Sequence, residues 1–287
     1  MRFYYIYKAL AHPETNGFVQ PITIQERLEH VAAAQKSIPT GITWLCDNMQ
    51  NEFKHQMGNA PNSEFVIDPN GKVVIARGWS NPTQLRSDLA DLVGEVSPAT
   101  RINDIDVRFT PPPLGAPIGL VPRVQISSAM RPLVSRPQLS VALDSDPHYV
   151  KLRAEADSQF WDTGIGLLYL GFHMDPVHHV HWNNLAAPVE YEIETVDGVT
   201  ISAKQGRAPK FDHPSDMDPR EFLLGIEWDK TVADWDKAKE LPIRVTMRYF
   251  ACSDDDGWCK PFTQKYDLFL QIDRDGGGAT RRWRDRN

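Results

Sequence analysis

Ile243-Arg244-Val245-Thr246-Met247-Arg248-Tyr249-Phe250-Ala251-Cys252 runs into Ser253-Asp254-Asp255-Asp256-Gly257-Trp258-Cys259-Lys260-Pro261, and a second alternating run, Tyr266–Ile272, follows. Val245, Met247 and Tyr249 alternate with Arg244, Thr246 and Arg248, while Tyr266, Leu268 and Leu270 alternate with Asp267 and Phe269. Successive side chains of a strand point to opposite faces, so the two runs suit a paired antiparallel hairpin with Cys252 and Cys259 near its mouth. Cross-strand Cα separations of about 4.5–5.5 Å fall inside the window a disulfide accepts. Closing so short a ring is worth roughly 2.5 kcal/mol in the loop-entropy model. A domain of about 130 residues has its own core and hardly depends on such a staple. A disulfide that opens and closes is therefore the functional reading of the pair; a structural staple or two inert thiols is the other. Asp254, Asp255 and Asp256 would raise the thiol pKa by repelling a thiolate. The pair thus suits being attacked as a disulfide, or passing electrons within a docked complex, better than acting as an independent nucleophile.

Outward from the hairpin, Leu167–Phe172, Val177–Trp182, Val189–Glu194 and Phe222–Trp228 show the same β-branched or aromatic alternation, separated by Gly, Pro, Asn or Asp clusters. Many strands and almost no helix from about residue 140 to 275 predict an antiparallel sandwich. The first 94 residues differ in kind. Phe3–Tyr7 and Ile42–Cys46 read as strands, and Thr23-x-x-Glu26 is a capping box opening a helix with Ile24, Leu28, Val31 and Ile38 at helical spacing. Met49–Gly58 reads as a short helix, Glu64–Asp68 and Lys72–Ala76 as a hairpin about Pro69-Asn70-Gly71, and Asn81-Pro82 as the start of a helix that Gly94 stops. The order β-α-β-α-β-β-α predicts a mixed sheet with helices on its faces. Between the blocks the residues from Pro98 to Pro147 include Pro111-Pro112-Pro113, and the alternation of Ile102, Ile105, Val107 and Phe109 predicts an extended connector lying against a domain.

Composition narrows the function. The chain has 287 residues, with 31 Lys+Arg against 38 Asp+Glu and a net charge of −7, which argues against nucleic-acid binding. Its longest uncharged stretches, Phe109–Pro122 and Thr163–Met174, are too short for a membrane-spanning helix. Three cysteines exclude a disulfide-framework protein, and no secretory signal is visible after Met1. P-loop, Gly-x-Gly-x-x-Gly, Gly-x-Ser-x-Gly and His-Glu-x-x-His motifs are missing. Asp216/Asp218 and Asp234/Asp236 read as solvated loop charges, and Met217, Trp228 and Trp235 as core or strand side chains.

Two resemblances add to this. Ile6-Tyr7-Lys8-Ala9-Leu10-Ala11-His12, Gly17, Glu26-Arg27-Leu28, Asp47-Asn48-Met49-Gln50-Asn51, Ala60-Pro61 and Phe65-Val66-Ile67 resemble the later part of the iodothyronine deiodinase-like branch of the thioredoxin superfamily. In that superfamily the reactive Cys or selenocysteine lies upstream of the strand that begins here at Phe3, so the resemblance implies a truncated block without its nucleophile and carries over no chemistry. A start codon placed too late would explain this. His179-Val180-His181-Trp182-x-Asn184, Pro188, Val245–Phe250 and Cys252 through Pro261 resemble the amino-terminal, immunoglobulin-like domain of periplasmic DsbD-type thiol:disulfide interchange proteins, over residues 145–272. The resemblance implies that Cys252 and Cys259 are a redox-active pair with Cys259 facing the partner and Cys252 resolving, although six residues separate them where the family usually has five. It also implies an extracytoplasmic, periplasmic setting.

The remaining candidates are few. Cys46, in Ile42-Thr43-Trp44-Leu45-Cys46, is expected to pack as a small hydrophobe on a central strand. His173, His178, His179 and His181 cluster; on a strand His179 and His181 would share a face and could hold copper or zinc, with Met174 or Cys252 as softer ligands, or could simply pack beside Trp182. The expected architecture is α+β in two domains: a thioredoxin-like block (1–94), a Pro-rich connector (95–139), an immunoglobulin-like antiparallel β-sandwich (140–275) and a disordered tail (276–287). The expected function is thiol–disulfide exchange through Cys252 and Cys259 with a thiol- or disulfide-bearing protein partner, without a cofactor. Phe250, Trp258 and Phe262 would shield the pair, with Pro261 beside it. The alternatives are a metal-binding module on the four histidines and a non-catalytic docking protein.

Overall fold

The computed structural model describes residues 1–14, 17–108, 111–126, 129–139, 146–229, 231 and 234–278. The chain divides into two compact units: Met1–Ala9 with Thr23–Thr110, and Leu10–Ile22 with the chain from Pro111 onward. The boundaries therefore differ from those expected at residues 94 and 139.

The first unit holds β1 (Tyr4–Tyr7), α1 (Ile24–Ser37), β2 (Thr43–Cys46), α2 (Glu52–Gln56), β3 (Glu64–Ile67), β4 (Val73–Arg77) and α3 (Pro82–Val93). The capping box forms in full: Thr23 Oγ1 accepts from Glu26 N at 3.2 Å, and Glu26 Oε2 accepts from Thr23 N at 3.2 Å. Asn81 caps α3 through Gln84 N, Pro82 opens the helix, and Gly94 ends it at φ 89°. Strand β1 pairs parallel with β2, and β3 pairs antiparallel with β4. These remain separate two-stranded sheets among the described residues, where one mixed sheet was expected.

The second unit carries β5 (Arg131–Pro137), β6 (Val150–Ala156), α4 (Ser158–Thr163), β7 (Ile165–Met174), β8 (Val180–Asn183), β9 (Glu190–Glu194), β10 (Val199–Ile201), β11 (Gln205–Arg207), β12 (Ser215–Asp216), β13 (Arg220–Trp228), α5 (Trp235–Ala238), β14 (Ile243–Ser253) and β15 (Trp258–Ile272). They form one large antiparallel sheet in the order β10-β13-β7-β6-β5-β15-β14-β8-β12, with β9 also on β14 and β11 on β9. Strand β5 pairs with both β6 and β15, so it joins two half-sheets. Aromatic contacts cross from one half to the other: Phe172 on β7 lies 6.5 Å from Tyr266 on β15, and Phe222 on β13 lies 4.6 Å from Tyr191 on β9. Their inner faces share one core that includes Leu168, Leu170, Phe172, Trp182, Ile226, Val245, Met247, Tyr249, Tyr266 and Leu268. Face-to-face packing of two antiparallel halves is what a β-sandwich requires.

The proline-rich stretch is not a free connector. Asp218 accepts backbone N–H groups from Gly119, Leu120 and Val121 at 2.6–2.9 Å, and Glu221 accepts from Val124 N at 2.8 Å. Further on, Arg131–Pro137 is strand β5 itself. Gly276 and Gly277, expected in a disordered tail, accept hydrogen bonds from Arg153 at 2.6 and 3.3 Å; residues 279–287 of that expected tail lie outside the described residues. No helix of the described residues is long and apolar enough to cross a membrane.

Candidate redox site

Strand register places the two cysteines. β14 and β15 pair residue for residue from Ile243↔Leu268 to Ser253↔Trp258, so Cys252 stands directly opposite Cys259. The two form a disulfide, with Cα atoms 4.1 Å apart. Six intervening residues suit this, because Ser253 and Trp258 are themselves a cross-strand pair and leave a four-residue loop, Asp254–Gly257. Ser253 Oγ accepts from Asp256 N at 3.2 Å, and Gly257 turns the chain back at φ 69°.

Alternation decides which face carries the sulfurs. Ile243, Val245, Met247, Tyr249 and Ala251 are buried in the core, so Arg244, Thr246, Arg248, Phe250 and Cys252 take the outer face. On β15 the core takes Tyr266, Leu268 and Leu270, which leaves Cys259, Pro261 and Thr263 outside. The two cysteines nevertheless differ in exposure: Cys252 is 6% exposed, whereas Cys259 is open to solvent. The topology accounts for this. Cys252 lies on an interior strand, flanked by Cys259 and by His181 of β8. Among the described residues no strand pairs with β15 on the side of Cys259, since β5 covers it only from Tyr266 onward.

The supporting aromatics divide between the faces. Phe250 and Pro261 are a cross-strand pair next to the disulfide on its own face. Trp258 and Phe262 instead pack against the core, where Tyr149 lies 5.6 and 5.1 Å away and Phe262 stacks on Tyr249 at 5.3 Å. These two do not shield the sulfurs, because their positions have the opposite parity to Cys259.

Each histidine has its own environment. His181, 6% exposed, approaches the Trp182 carbonyl through Nδ1 at 3.0 Å and Asp254 Oδ1 through Nε2 at 3.4 Å. Gly115 lies over this segment, its missing Cβ position 3.9 Å from the His181 ring. His179 is not on a strand. It ends a short 3₁₀ turn, Pro176–His178, at φ 54°, and its Nδ1 meets Asp255 Oδ2 at 3.1 Å. The shared face expected of His179 and His181 is therefore not formed. His178 Nε2 lies 4.0 Å from Asp175 Oδ2, and its ring meets Tyr149 edge-on. His173 is buried on the outer face of β7, and burial, then the Arg123 charge, push its imidazole down to about 3. Among the described residues no two of these histidines join one three-ligand group of His, Cys, Asp or Glu atoms lying within 4.8 Å of one another. Among the described residues the four histidines are not brought together as one site.

Other expectations need correcting. Asp216 and Asp218 are 0% and 5% exposed, not solvated: Asp216 is paired with Arg220, and Asp218 anchors the 119–121 amides. Met217 is buried and Trp228 packs against the core. Cys46 is half-buried on a two-stranded sheet, where burial pushes its thiol upward; its Sγ donates to Asp47 O at 3.5 Å. Beside the disulfide, sequence reasoning missed His181 as the cross-strand neighbour of Cys252. The signal was the spacing of His181 before Trp182, but only the β8–β14 register shows what it adjoins.

Compared with known proteins, the chain matches no family model and no curated sequence. Any functional reading therefore rests on the site itself.

Proposed function

We propose that this protein exchanges thiols and disulfides with a protein partner through Cys252 and Cys259. One observation carries the reading: the disulfide joins an exposed residue to a buried one on the outer face of the sandwich-like unit. Exchange proceeds by attack of a thiolate on one sulfur of the disulfide, with the other sulfur leaving, and access selects the sulfur attacked. A partner thiolate reaches Cys259 and releases Cys252 as the resolving thiol. The resemblance of residues 145–272 to DsbD-type amino-terminal domains supports the same order of roles, and an extracytoplasmic setting. The resemblance of the first block to the later part of the deiodinase-like branch supports a docking role for that block as a second reading.

The test is mass spectrometry of the mixed disulfide formed by the oxidised protein and glutathione, quenched by alkylation. Glutathione on Cys259 with alkylated Cys252 is expected. Glutathione on Cys252, or an intact disulfide, would contradict the proposal.

A further inference from the structure

Resting on that exchange reading, we infer that His181 stabilises the sulfur left on Cys252 when the disulfide opens, and that Asp254 restrains His181 until then. Cys252 and His181 are a cross-strand pair on β14 and β8. Side chains directly opposite in an antiparallel pair have Cβ atoms about 4.5–5.5 Å apart. Both residues are 6% exposed, so a charge formed on Cys252 is poorly hydrated and depends on its immediate neighbours. On the other side of Cys252 stands Cys259; two positions away in sequence are Phe250, on the same face of the strand, and Asp254, the first residue of the loop. His181 is the one of these neighbours able to donate a proton or a hydrogen bond to a thiolate.

The ring is arranged for this. A backbone carbonyl only accepts, so Nδ1 carries the N–H that meets Trp182 O at 3.0 Å and fixes the ring. Nε2 is left facing outward, 3.4 Å from an Asp254 carboxylate whose side chain is 80% exposed. That looser, solvent-facing contact is the one that can be exchanged. A thiolate of a partner dithiol attacks Cys259 Sγ; the new S–S bond forms as the Cys252–Cys259 bond breaks, and the electron pair of that bond leaves on Cys252 Sγ. In its imidazolium form, with a proton on each ring nitrogen, His181 turns its Nε2–H from Asp254 to this sulfur. The partner's second thiolate then attacks the partner's own sulfur in the mixed disulfide and expels Cys259. The partner is oxidised to a disulfide, and this pair takes up two electrons and, on protonation, two protons. A better-stabilised leaving thiolate leaves faster and favours the reduced pair.

The experiment uses the full chain, oxidised, with dithiothreitol as the probe, reading both the opening rate and the equilibrium against a dithiol/disulfide buffer at pH 7. His181→Asn should slow opening about tenfold, the low end of what a hydrogen bond to a charged group is worth. It should lower the exchange constant by a similar factor, or about 30 mV for a two-electron couple. Asp254→Asn, at an exposed side chain, should move both readouts the opposite way, about two- to threefold, because it frees His181 and removes a like charge. A purely structural role for His181 would leave the Asp254→Asn effect the same in a His181→Asn background, whereas restraint of His181 by Asp254 makes that effect smaller there. The inference is overturned if Asp254→Asn matches the wild type or shifts toward slower opening, whether or not His181→Asn folds. A wild-type disulfide that dithiothreitol fails to open would instead overturn the exchange reading beneath it.

Discussion

Arg220 grips Asp216 through both terminal nitrogens, at 2.8 Å each, with the two side chains 3% and 0% exposed. Burial alone would raise the Asp216 carboxyl, but the Arg220 guanidinium and the Asn184 amide outweigh it and hold the carboxyl below its ordinary range. Arg220 also donates to Asp218 O and lies over the rings of Trp182 and Phe211. The pair thus ties the β12–β13 turn, and the Asp218 clamp on residues 119–121, to the strand that carries His181. Removing one partner of such a pair leaves a buried charge uncompensated, at a cost of about 3–5 kcal/mol. Urea unfolding of Asp216→Asn should show a loss of that size. A loss under about 1 kcal/mol would mean that the pair is not buried in solution.

Glu14 gives the second unit a pH response. Its Oε2 lies 3.9 Å from the Arg153 guanidinium, which is already occupied by Glu155 and the Gly276 carbonyl. Burial, offset in part by Arg153 and reinforced by Glu155, pushes Glu14 up to about 7. A carboxyl raised on folding stabilises the fold fully below its ordinary value near 4.5, and that contribution is lost as pH rises through about 7. The loss amounts to roughly 3 kcal/mol. Glu14→Gln should therefore match the wild type near pH 4 and exceed it in stability at pH 8. Equal pH profiles for the two proteins would contradict this account.

Gly171 sits between Tyr169 and His173 on the outer face of β7. A Cβ there would lie 2.8 Å from Tyr169 Cζ and 2.9 Å from His173 Nε2, while Tyr169 is held by its bond to Glu221 at 2.5 Å. Overpacking a rigid site costs about 1–3 kcal/mol. Thermal unfolding should place Gly171→Ala clearly below the wild type, whereas Gly225→Ala, whose nearest neighbour is Ser202 at 3.5 Å, should change little. Equal effects of the two substitutions would rule out the crowding argument.

The two pairs of aromatic and proline side chains near the disulfide should separate in function. Phe250→Ala opens the face that carries the sulfurs and should speed dithiothreitol attack a few-fold with little loss of stability. Trp258→Ala removes a side chain packed on the core and should cost stability, by about 2–4 kcal/mol for a partly buried aromatic, without speeding attack. Reversed outcomes would place the shielding residues on the wrong face.

Much of this was legible in the chain. The capping box at Thr23, the Asn81-Pro82 start with its Gly94 stop, the turn at Pro69-Asn70-Gly71 and the β14–β15 alternation are local signals, and each formed where its residues indicated. What failed depended on partners remote in sequence. Lys151, Arg153 and Glu155, an alternating charged set on β6 that no local signal singles out, are all buried, because Asp175 and the Gly276 and Gly277 carbonyls reach them from elsewhere. Asp216 and Asp218 looked solvated for the same reason. The cysteine pair could be read from alternation, but its asymmetry could not: burial of Cys252 comes from β8, and exposure of Cys259 from the point where β5 stops.

The central claim is that Cys252–Cys259 is an exchanging disulfide and not a staple. A redox titration of the purified protein, with free thiols trapped by alkylation and counted by mass spectrometry, tests it most directly. A midpoint between about −120 and −270 mV, in the range of exchange-active pairs, is the predicted result; one below about −300 mV, typical of structural disulfides, would contradict it.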